Sequence, residues 1–173
     1  MRRGDIRKIR FVLCQHCGLA YANPQLDPEE ITRLYTQSYR DVAVDEAHIE
    51  YKEKQSRERI QWLLTDYKKK ESRALEIGCS EGVLLKQMRD ELNWSVAGIE
   101  PFAPYAQFGI EKWGLAIDVG FFPLAKGMEP FDLISFIHVI EHIPNPAAFF
   151  LDVARTPGPG ERKATRLSSS PTE

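Results

Sequence analysis

The chain has 173 residues, of which 43% are hydrophobic and 28% are charged, the composition of an ordinary globular domain. Its 23 basic and 25 acidic side chains give a net charge of −2, which argues against electrostatic binding of nucleic acid. No apolar run approaches the roughly 20 residues that cross a bilayer, and the run after the basic start is too short for a secretory signal. Three cysteines cannot all form disulfides with one another, which favours a cytoplasmic location.

Four regions follow one another along the chain: a hairpin at 1–26, a helical lead-in at 27–72, alternating strands and helices at 73–154, and a polar tail at 155–173. The hairpin contains Cys14 and Cys17, which have the spacing of a zinc knuckle. A structural zinc site usually needs four ligands. We therefore predict two reduced cysteines and no metal, with half of a zinc site as the alternative.

The lead-in region predicts two helices. Asp27 can cap the first, Pro28 suits its first position, and Glu30 completes a capping box. The second helix is expected at about 45–70, with apolar residues at helical spacing in its later half. Its earlier half is highly charged, which predicts a solvated face with i,i+4 ion pairs. A partner-binding surface is the alternative.

The third region has the alternation of an α/β sheet. Strands are predicted at 74–77, 95–99, 115–119 and 131–137, and helices near 84–92, 105–113 and 146–154. The last strand, FDLISFI, is apolar without alternation, as expected for a strand that is buried on both faces.

A glycine turn, LEIGCSEG, leads from the first of these strands into a helix. Gly78 permits unusual backbone angles and the approach of a ligand, and Gly82 removes a side chain where helix and strand pack. Glu100 follows at the end of the next strand, 22 residues after Gly78, where an acid can bind ribose hydroxyls. Ser80 and Val83 stand where a dinucleotide fingerprint needs glycine. The ligand expected is therefore an adenosine without a pyrophosphate, and a turn without a ligand is the alternative.

The stretch from His138 to His142 matches the inverted zinc-protease motif His-x-x-Glu-His. That motif requires a helix that places both histidines on one face. A predicted strand precedes His138, and Pro144 and Pro146 follow, so the helix has no room. We expect no protease here, and we expect Glu141 and His142 to cap or pack.

Three ordered motifs, LEIGCSEG, AGIEP and FDLISFIHVIEHIPNP, together resemble the class I S-adenosylmethionine-dependent methyltransferases. They cover about 73–154, and the upstream Cys-x-x-Cys is similar to a subgroup with a zinc-ribbon-like element. The resemblance implies a Rossmann-like α/β fold, S-adenosyl-L-methionine as the cofactor, and methyl transfer to a small-molecule or sugar-like acceptor. From the charge balance and the absence of a long apolar run, neither a nucleic-acid nor a membrane partner is expected.

Members of that family continue into a fifth strand and a closing hairpin, whereas residues 155–173 are polar and rich in Ser, Thr, Pro and Gly. We therefore expect a disordered tail, a truncated chain and an incomplete parallel sheet with its strands in the order 3-2-1-4. A catalytically inactive fragment that retains cofactor binding is the alternative function. An NAD oxidoreductase is disfavoured by the missing glycines.

The resemblance assigns the methionine end of the cofactor to the glycine turn. Glu76 would face the cationic ammonium and sulfonium groups. The backbone at Gly78, Cys79 and Gly82 would cradle the methionine part.

The resemblance assigns the rest of the cofactor to the ends of the other strands. Glu100 would bind the ribose diol, and the segment 120–122, with Phe121, would flank the adenine. The nearest acid, Asp118, is expected inside a strand, so adenine recognition would rest on backbone groups and apolar packing. His138 would line the pocket beside the methyl group, or alternatively act as a general base. No catalytic residue is assigned, because an in-line displacement needs placement of the reactants more than acid–base groups.

Overall fold

The structure, a computed structural model, describes residues 10–37, 44–66, 71–124, 129–156 and 158. The chain divides into two compact units, Met1–Asp41 and Val42–Glu173. The four-region division predicted from the sequence stays a prediction. Most of the predicted tail, and the last residues of the helix predicted at 45–70, lie outside the described residues.

The first unit contains a hairpin and a helix. Strands β1 (Phe11–Leu13) and β2 (Ala20–Ala22) pair antiparallel, and helix α1 spans Pro28–Gln37. The Glu30 N–H donates to Asp27 Oδ1 at 2.8 Å, and the Asp27 N–H donates to Glu30 Oε2 at 3.1 Å. The predicted capping box is therefore confirmed.

The second unit is an α/β structure built on a four-stranded parallel sheet. Its elements are α2 (Glu46–Asp66), β3 (Arg73–Ile77), α3 (Val83–Leu92), β4 (Ser95–Glu100), α4 (Ala103–Trp113), β5 (Ile117–Val119), β6 (Leu133–Ser135) and α5 (Pro146–Arg155). The strands lie in the order β5-β4-β3-β6. This confirms the predicted order, in which the first strand of the region sits inside the sheet.

The two faces of the sheet are covered by different helices. Along β3, Leu75 and Ile77 pack in one cluster with Phe149 of α5, whereas Ala74 packs with residues of α2 and α3. Side chains alternate between the faces of a strand. Glu76 therefore lies on the face covered by α2 and α3, which places its carboxyl group near the charged half of α2.

The strand predicted at 131–137 is shorter than expected, because only Leu133–Ser135 pair with β3. Phe131 and Phe136 are buried outside the ladder, and the Phe136 ring lies 5.1 Å from the ring of Phe149. An apolar run in the sequence predicts which residues are buried, but it does not predict where the backbone pairing of a strand ends. The strand predicted at 115–119 is likewise shorter, since pairing begins at Ile117.

None of the helices in the described part of the chain is long and apolar enough to cross a membrane.

Candidate functional site

The turn between β3 and α3 is fixed to the neighbouring strand. The N–H groups of Gly78 and Cys79 both donate to the carbonyl oxygen of Ile99 in β4, at 2.8 and 3.2 Å. Gly78 and Gly82 have φ of 73° and 79°, and Ser80 has φ of 55°. Three left-handed residues within five positions fold the chain sharply from the strand into the helix.

At two positions of this turn, 78 and 82, glycine is required both by the positive φ and by the lack of space for a Cβ. A Cβ on Gly78 would lie 2.5 Å from Cγ2 of Val139, in the segment after β6. A Cβ on Gly82 would lie 2.6 Å from Cδ1 of Leu115, before β5. The turn is therefore in close contact with segments that flank both outer strands of the sheet.

Glu100 ends β4 beside the turn. Its Oε2 accepts the Ser80 N–H at 2.9 Å and its Oε1 accepts the Phe102 N–H at 2.8 Å. Burial raises the pKa of Glu100 above its ordinary value, and the two backbone N–H groups oppose that rise. A carboxylate has about four lone-pair positions, so acceptor capacity remains for further donors.

Glu76 lies one strand away and is 5% exposed. No hydrogen-bond donor among the described residues reaches its Oε2. Burial raises the pKa of Glu76 to about 8, although Arg59 and Lys52 of α2 act in the opposite direction. A buried carboxyl oxygen without a donor is costly, and a cationic donor placed there would remove that cost.

Cys79 takes part in the turn through its backbone N–H, which donates to Ile99, and through its Sγ, which donates to the carbonyl oxygen of Ser80 at 3.8 Å. Its side chain is buried, and a Cβ on Gly98 of β4 would lie 2.5 Å from its Sγ. Burial raises the pKa of the Cys79 thiol well above its ordinary value, so it stays a neutral thiol. The sulfur therefore packs inside the domain and donates to Ser80, and the predicted role of the Cys79 backbone in cofactor binding stays a prediction.

Phe121 and His138 follow the two outer strands. Phe121 comes two residues after β5 and is 41% exposed. His138 follows β6, has φ of 55°, and its Nδ1 lies 3.4 Å from Glu141 Oε1, with both side chains about half exposed. Glu141 was expected to cap or pack, and it pairs with His138 instead, because a 3-10 turn at Ile140–His142 brings it back.

The structure brings together five of the seven predicted residues at the carboxyl ends of β3 and β4: Glu76, Gly78, Cys79, Gly82 and Glu100. His138 is adjacent in sequence to Val139, which contacts the turn. Phe121 is joined to this group through its neighbour Gly120, whose N–H donates to the carbonyl oxygen of Glu100 at 3.0 Å.

Sequence reasoning missed a second acid in the turn and two residues of α2 that pair with it. Glu81 Oε1 lies 2.8 Å from Nε2 of His48, and its Oε2 lies 3.6 Å from Nζ of Lys52. The prediction that the charged half of α2 is a solvated face is therefore wrong for these two residues. The i,i+4 pair expected on that face is present between Arg57 and Glu53.

The hairpin cysteines lie in the first unit. Backbone N–H groups of Cys17 and His16 lower the pKa of Cys14 below its ordinary value. Cys14 and Cys17 are both free thiols, and the described residues contain no group of three or more side chains suited to one metal ion.

Comparisons with solved structures show the fold. Magnesium protoporphyrin IX methyltransferase from Synechocystis PCC 6803, with bound S-adenosylmethionine, is 16% identical at a TM-score of 0.56, over 78% of this chain and 74% of that one. A complex of the Trm112 methyltransferase activator with a methyltransferase from Haloferax volcanii gives 17% identity and a TM-score of 0.55, over 66% and 54%.

Another solved structure is matched over a smaller part of its length. Phosphoethanolamine N-methyltransferase 2 from Haemonchus contortus is 23% identical at a TM-score of 0.47 over 53% of this chain, which spans only 23% of the length of that protein. No curated protein matches the chain.

The family model described as "Methyltransferase domain" matches residues 48–162, which is more than half of the chain. This chain therefore belongs to the methyltransferase domain family.

Proposed function

We propose that the protein is an S-adenosylmethionine-dependent methyltransferase that acts on a small-molecule or sugar-like acceptor. The observation that carries the proposal is Oε2 of Glu76, a buried carboxyl oxygen at the end of an inner strand to which none of the residues that the structure describes donates. The methionine part of the cofactor has an ammonium group, which is a charge-assisted donor for such an oxygen. The residues present therefore fit this cofactor.

The proposal assigns the ribose to Glu100. Each of its carboxylate oxygens already accepts one backbone N–H, and each keeps acceptor capacity for one ribose hydroxyl. The same N–H bonds hold the carboxylate in one orientation. Binding to Glu100 therefore requires little reorganisation of the side chain.

The proposal assigns the two ends of the reaction site to the outer strands. Phe121, after β5, would pack on the adenine, and His138, after β6, would line the space beside the methyl group. The backbone of Gly78, Cys79 and Gly82 would lie along the methionine part. His138 is treated as a lining residue, because its half-exposed contact with Glu141 gives it little electrostatic support.

The bound cofactor would supply a methyl group attached to a sulfonium. The acceptor atom would displace it in line, with the neutral thioether as the leaving group, and this step requires little acid–base assistance. The contribution of the protein is then placement, because a near-attack geometry alone can supply several kcal/mol. The carboxylates at Glu76 and Glu100 fix the cofactor from two neighbouring strands, and the acceptor would approach from the side of β6.

We also propose that the protein works in the cytoplasm, with Cys14 and Cys17 reduced, and without a nucleic-acid partner. Support comes from the odd number of cysteines and from the net charge of −2. Titration of the native protein with a thiol reagent should report the two hairpin thiols, while Cys79 is buried and should react only after unfolding.

Calorimetric titration of the full chain with S-adenosylmethionine, S-adenosylhomocysteine and NAD tests the proposed function. We expect binding of the first two and not of NAD. Turnover is then followed as S-adenosylhomocysteine formed in the presence of hydroxyl- or amine-bearing acceptors. Binding without turnover would favour an inactive cofactor-binding protein, and binding of NAD alone would refute the proposal.

A further inference from the structure

Glu81 is an acidic side chain in the middle of the glycine turn, and it is only 1% exposed. Acidic residues are almost never buried to this degree unless they are paired. Two side chains of α2 reach its carboxylate: Nε2 of His48 lies 2.8 Å from Oε1, within hydrogen-bond distance, and Nζ of Lys52 forms an ion pair with Oε2 at 3.6 Å. Ser80 also forms a hydrogen bond with Glu81. Since a carboxylate can only accept hydrogen bonds, His48 donates through Nε2–H.

The sequence of α2 explains why these two partners face the turn. Asp45 caps the helix, and its Oδ1 accepts the N–H of His48 at 2.8 Å, which fixes His48 in the first helical turn. Lys52 follows four residues later on the same side of the helix. Ser56 and Ile60 continue that side and are buried, so the whole stripe is held against the domain.

The backbone of Glu81 contacts a second helix, α4. A Cβ on Gly109 would overlap the carbonyl oxygen of Glu81, so the helix and the turn are in direct contact at that position. Two helices therefore contact this residue: α4 meets its backbone and α2 pairs with its side chain. A change at His48 or Lys52 removes one of these two supports.

The charge of Glu81 links this support to the predicted cofactor residues. Burial raises the pKa of Glu81, but Lys52, the backbone N–H of Glu81 and its bonds to Ser80 and His48 together lower the pKa below its ordinary value. Glu81 is therefore ionised, and its neighbour Ser80 donates to Glu100. Loss of His48 or Lys52 would leave this buried carboxylate without one of its two α2 partners, and rearrangement of the turn toward solvent would relieve that cost.

We propose that His48 and Lys52 are positioning residues, which hold the glycine turn in its cofactor-binding shape through the buried carboxylate of Glu81. The proposal rests on the proposed function, since it concerns binding of S-adenosylmethionine and its product at this turn. It gives α2 a role in cofactor affinity through Glu81, and Lys52 also acts electrostatically on Glu76 and Glu100.

The test is the dissociation constant of S-adenosylhomocysteine, measured by calorimetry on the full chain. We expect His48→Ala and Lys52→Met each to weaken binding about tenfold, and His48→Gln to restore most of the loss, since an amide N–H can replace Nε2–H. In a double-mutant cycle, Glu81→Gln should make the effect of His48→Ala much smaller. Two α2 variants are used so that the test does not depend on the folding of one.

Arg57→Ala is the matched control, because it breaks an exposed contact between α2 and α3, Arg57 Nε with Glu91 Oε1 at 3.6 Å, away from the turn. It should leave the dissociation constant within twofold of the wild type. The inference is overturned if His48→Ala and Lys52→Met also stay within twofold, or if Arg57→Ala weakens binding equally. If the wild-type chain does not bind, the proposed function fails, and this inference fails with it.

Discussion

The N–H of Ser80 donates to Oε2 of Glu100 at 2.9 Å, so the glycine turn and the end of β4 are joined across 20 residues of sequence. The second oxygen of Glu100 accepts the N–H of Phe102 at 2.8 Å. One carboxylate therefore holds the backbone of the glycine turn and the N-cap residue of α4, and it also supplies the acceptor atoms proposed for the ribose. Structure and binding depend on the same side chain.

Glu100→Ala should weaken binding of S-adenosylhomocysteine at least tenfold, because charge-assisted hydrogen bonds contribute roughly 1.5–3 kcal/mol each. It should also lower the free energy of unfolding by about 1–3 kcal/mol, since the half-buried N–H groups of Ser80 and Phe102 lose their acceptor. Calorimetry and urea denaturation measure the two effects. Asp118→Asn, at an exposed acid in β5, is the control and should change neither. An unchanged dissociation constant for Glu100→Ala would remove Glu100 from the site.

The pKa of Glu76, raised to about 8 by burial, predicts a pH-dependent stability. At a pH below 4.5, the ordinary pKa of a glutamate, Glu76 is protonated in both the folded and the unfolded protein, so it makes the stability neither higher nor lower. Between 4.5 and about 8 only the unfolded form ionises, so stability falls as pH rises, and above that range the loss is constant. The free energy of unfolding of Glu76→Gln, measured relative to that of the wild type, should therefore rise with pH across this range, by about 5 kcal/mol at most.

Urea denaturation of both proteins from pH 5 to pH 8 measures this difference. A difference that does not change with pH would contradict the assignment of the raised pKa. Cofactor binding offers a second readout, because an ammonium group beside Glu76 favours the ionised form. Binding of S-adenosylmethionine near pH 7 should therefore release a proton from Glu76, which calorimetry in buffers of different ionisation enthalpy detects.

Gly78→Ala should destabilise the domain by about 2–4 kcal/mol, from a left-handed φ and from overlap with Val139. The overlap should disappear in a Val139→Ala background, where only the cost of the backbone angle, about 1–2 kcal/mol, remains. The four proteins of this cycle are compared by urea denaturation. Additive effects of the two substitutions would show that the segment after β6 does not rest on the turn.

Phe121→Ala tests the adenine end of the site. Stacking of an aromatic ring on a base contributes about 1–3 kcal/mol, so we expect at least a fivefold loss of affinity for S-adenosylhomocysteine. Phe150→Ala is the matched control, since Phe150 is 42% exposed, close to the 41% of Phe121, and lies on α5. Equal affinities of the two variants would mean that adenine is recognised elsewhere.

The order of the sheet and the position of the turn could be predicted because they follow from local patterns. Alternation of strand and helix, a glycine pair and an acid at the end of the next strand define β3, α3 and β4 in sequence. Caps are similarly local, and the side chain of Asn145 accepts the N–H of Ala148 at 3.1 Å at the predicted start of α5.

The contacts that were missed depend on tertiary packing. His48 and Lys52 lie in a highly charged stretch, and apolar periodicity gives no information on which charged residues of a helix face a buried acid. Val139 is an ordinary apolar residue until the segment after β6 brings it against Gly78. An acid among the small residues of a turn, Glu81, was the one local sign that a partner had to be present.

A crystal structure of the full chain with S-adenosylhomocysteine tests the central claim most directly. We expect both ribose hydroxyls within hydrogen-bond distance of the Glu100 carboxylate, the amino group of the methionine part at Oε2 of Glu76, and the adenine against Phe121. A ligand bound away from the carboxyl ends of β3 and β4, or a ribose that does not contact Glu100, would contradict it.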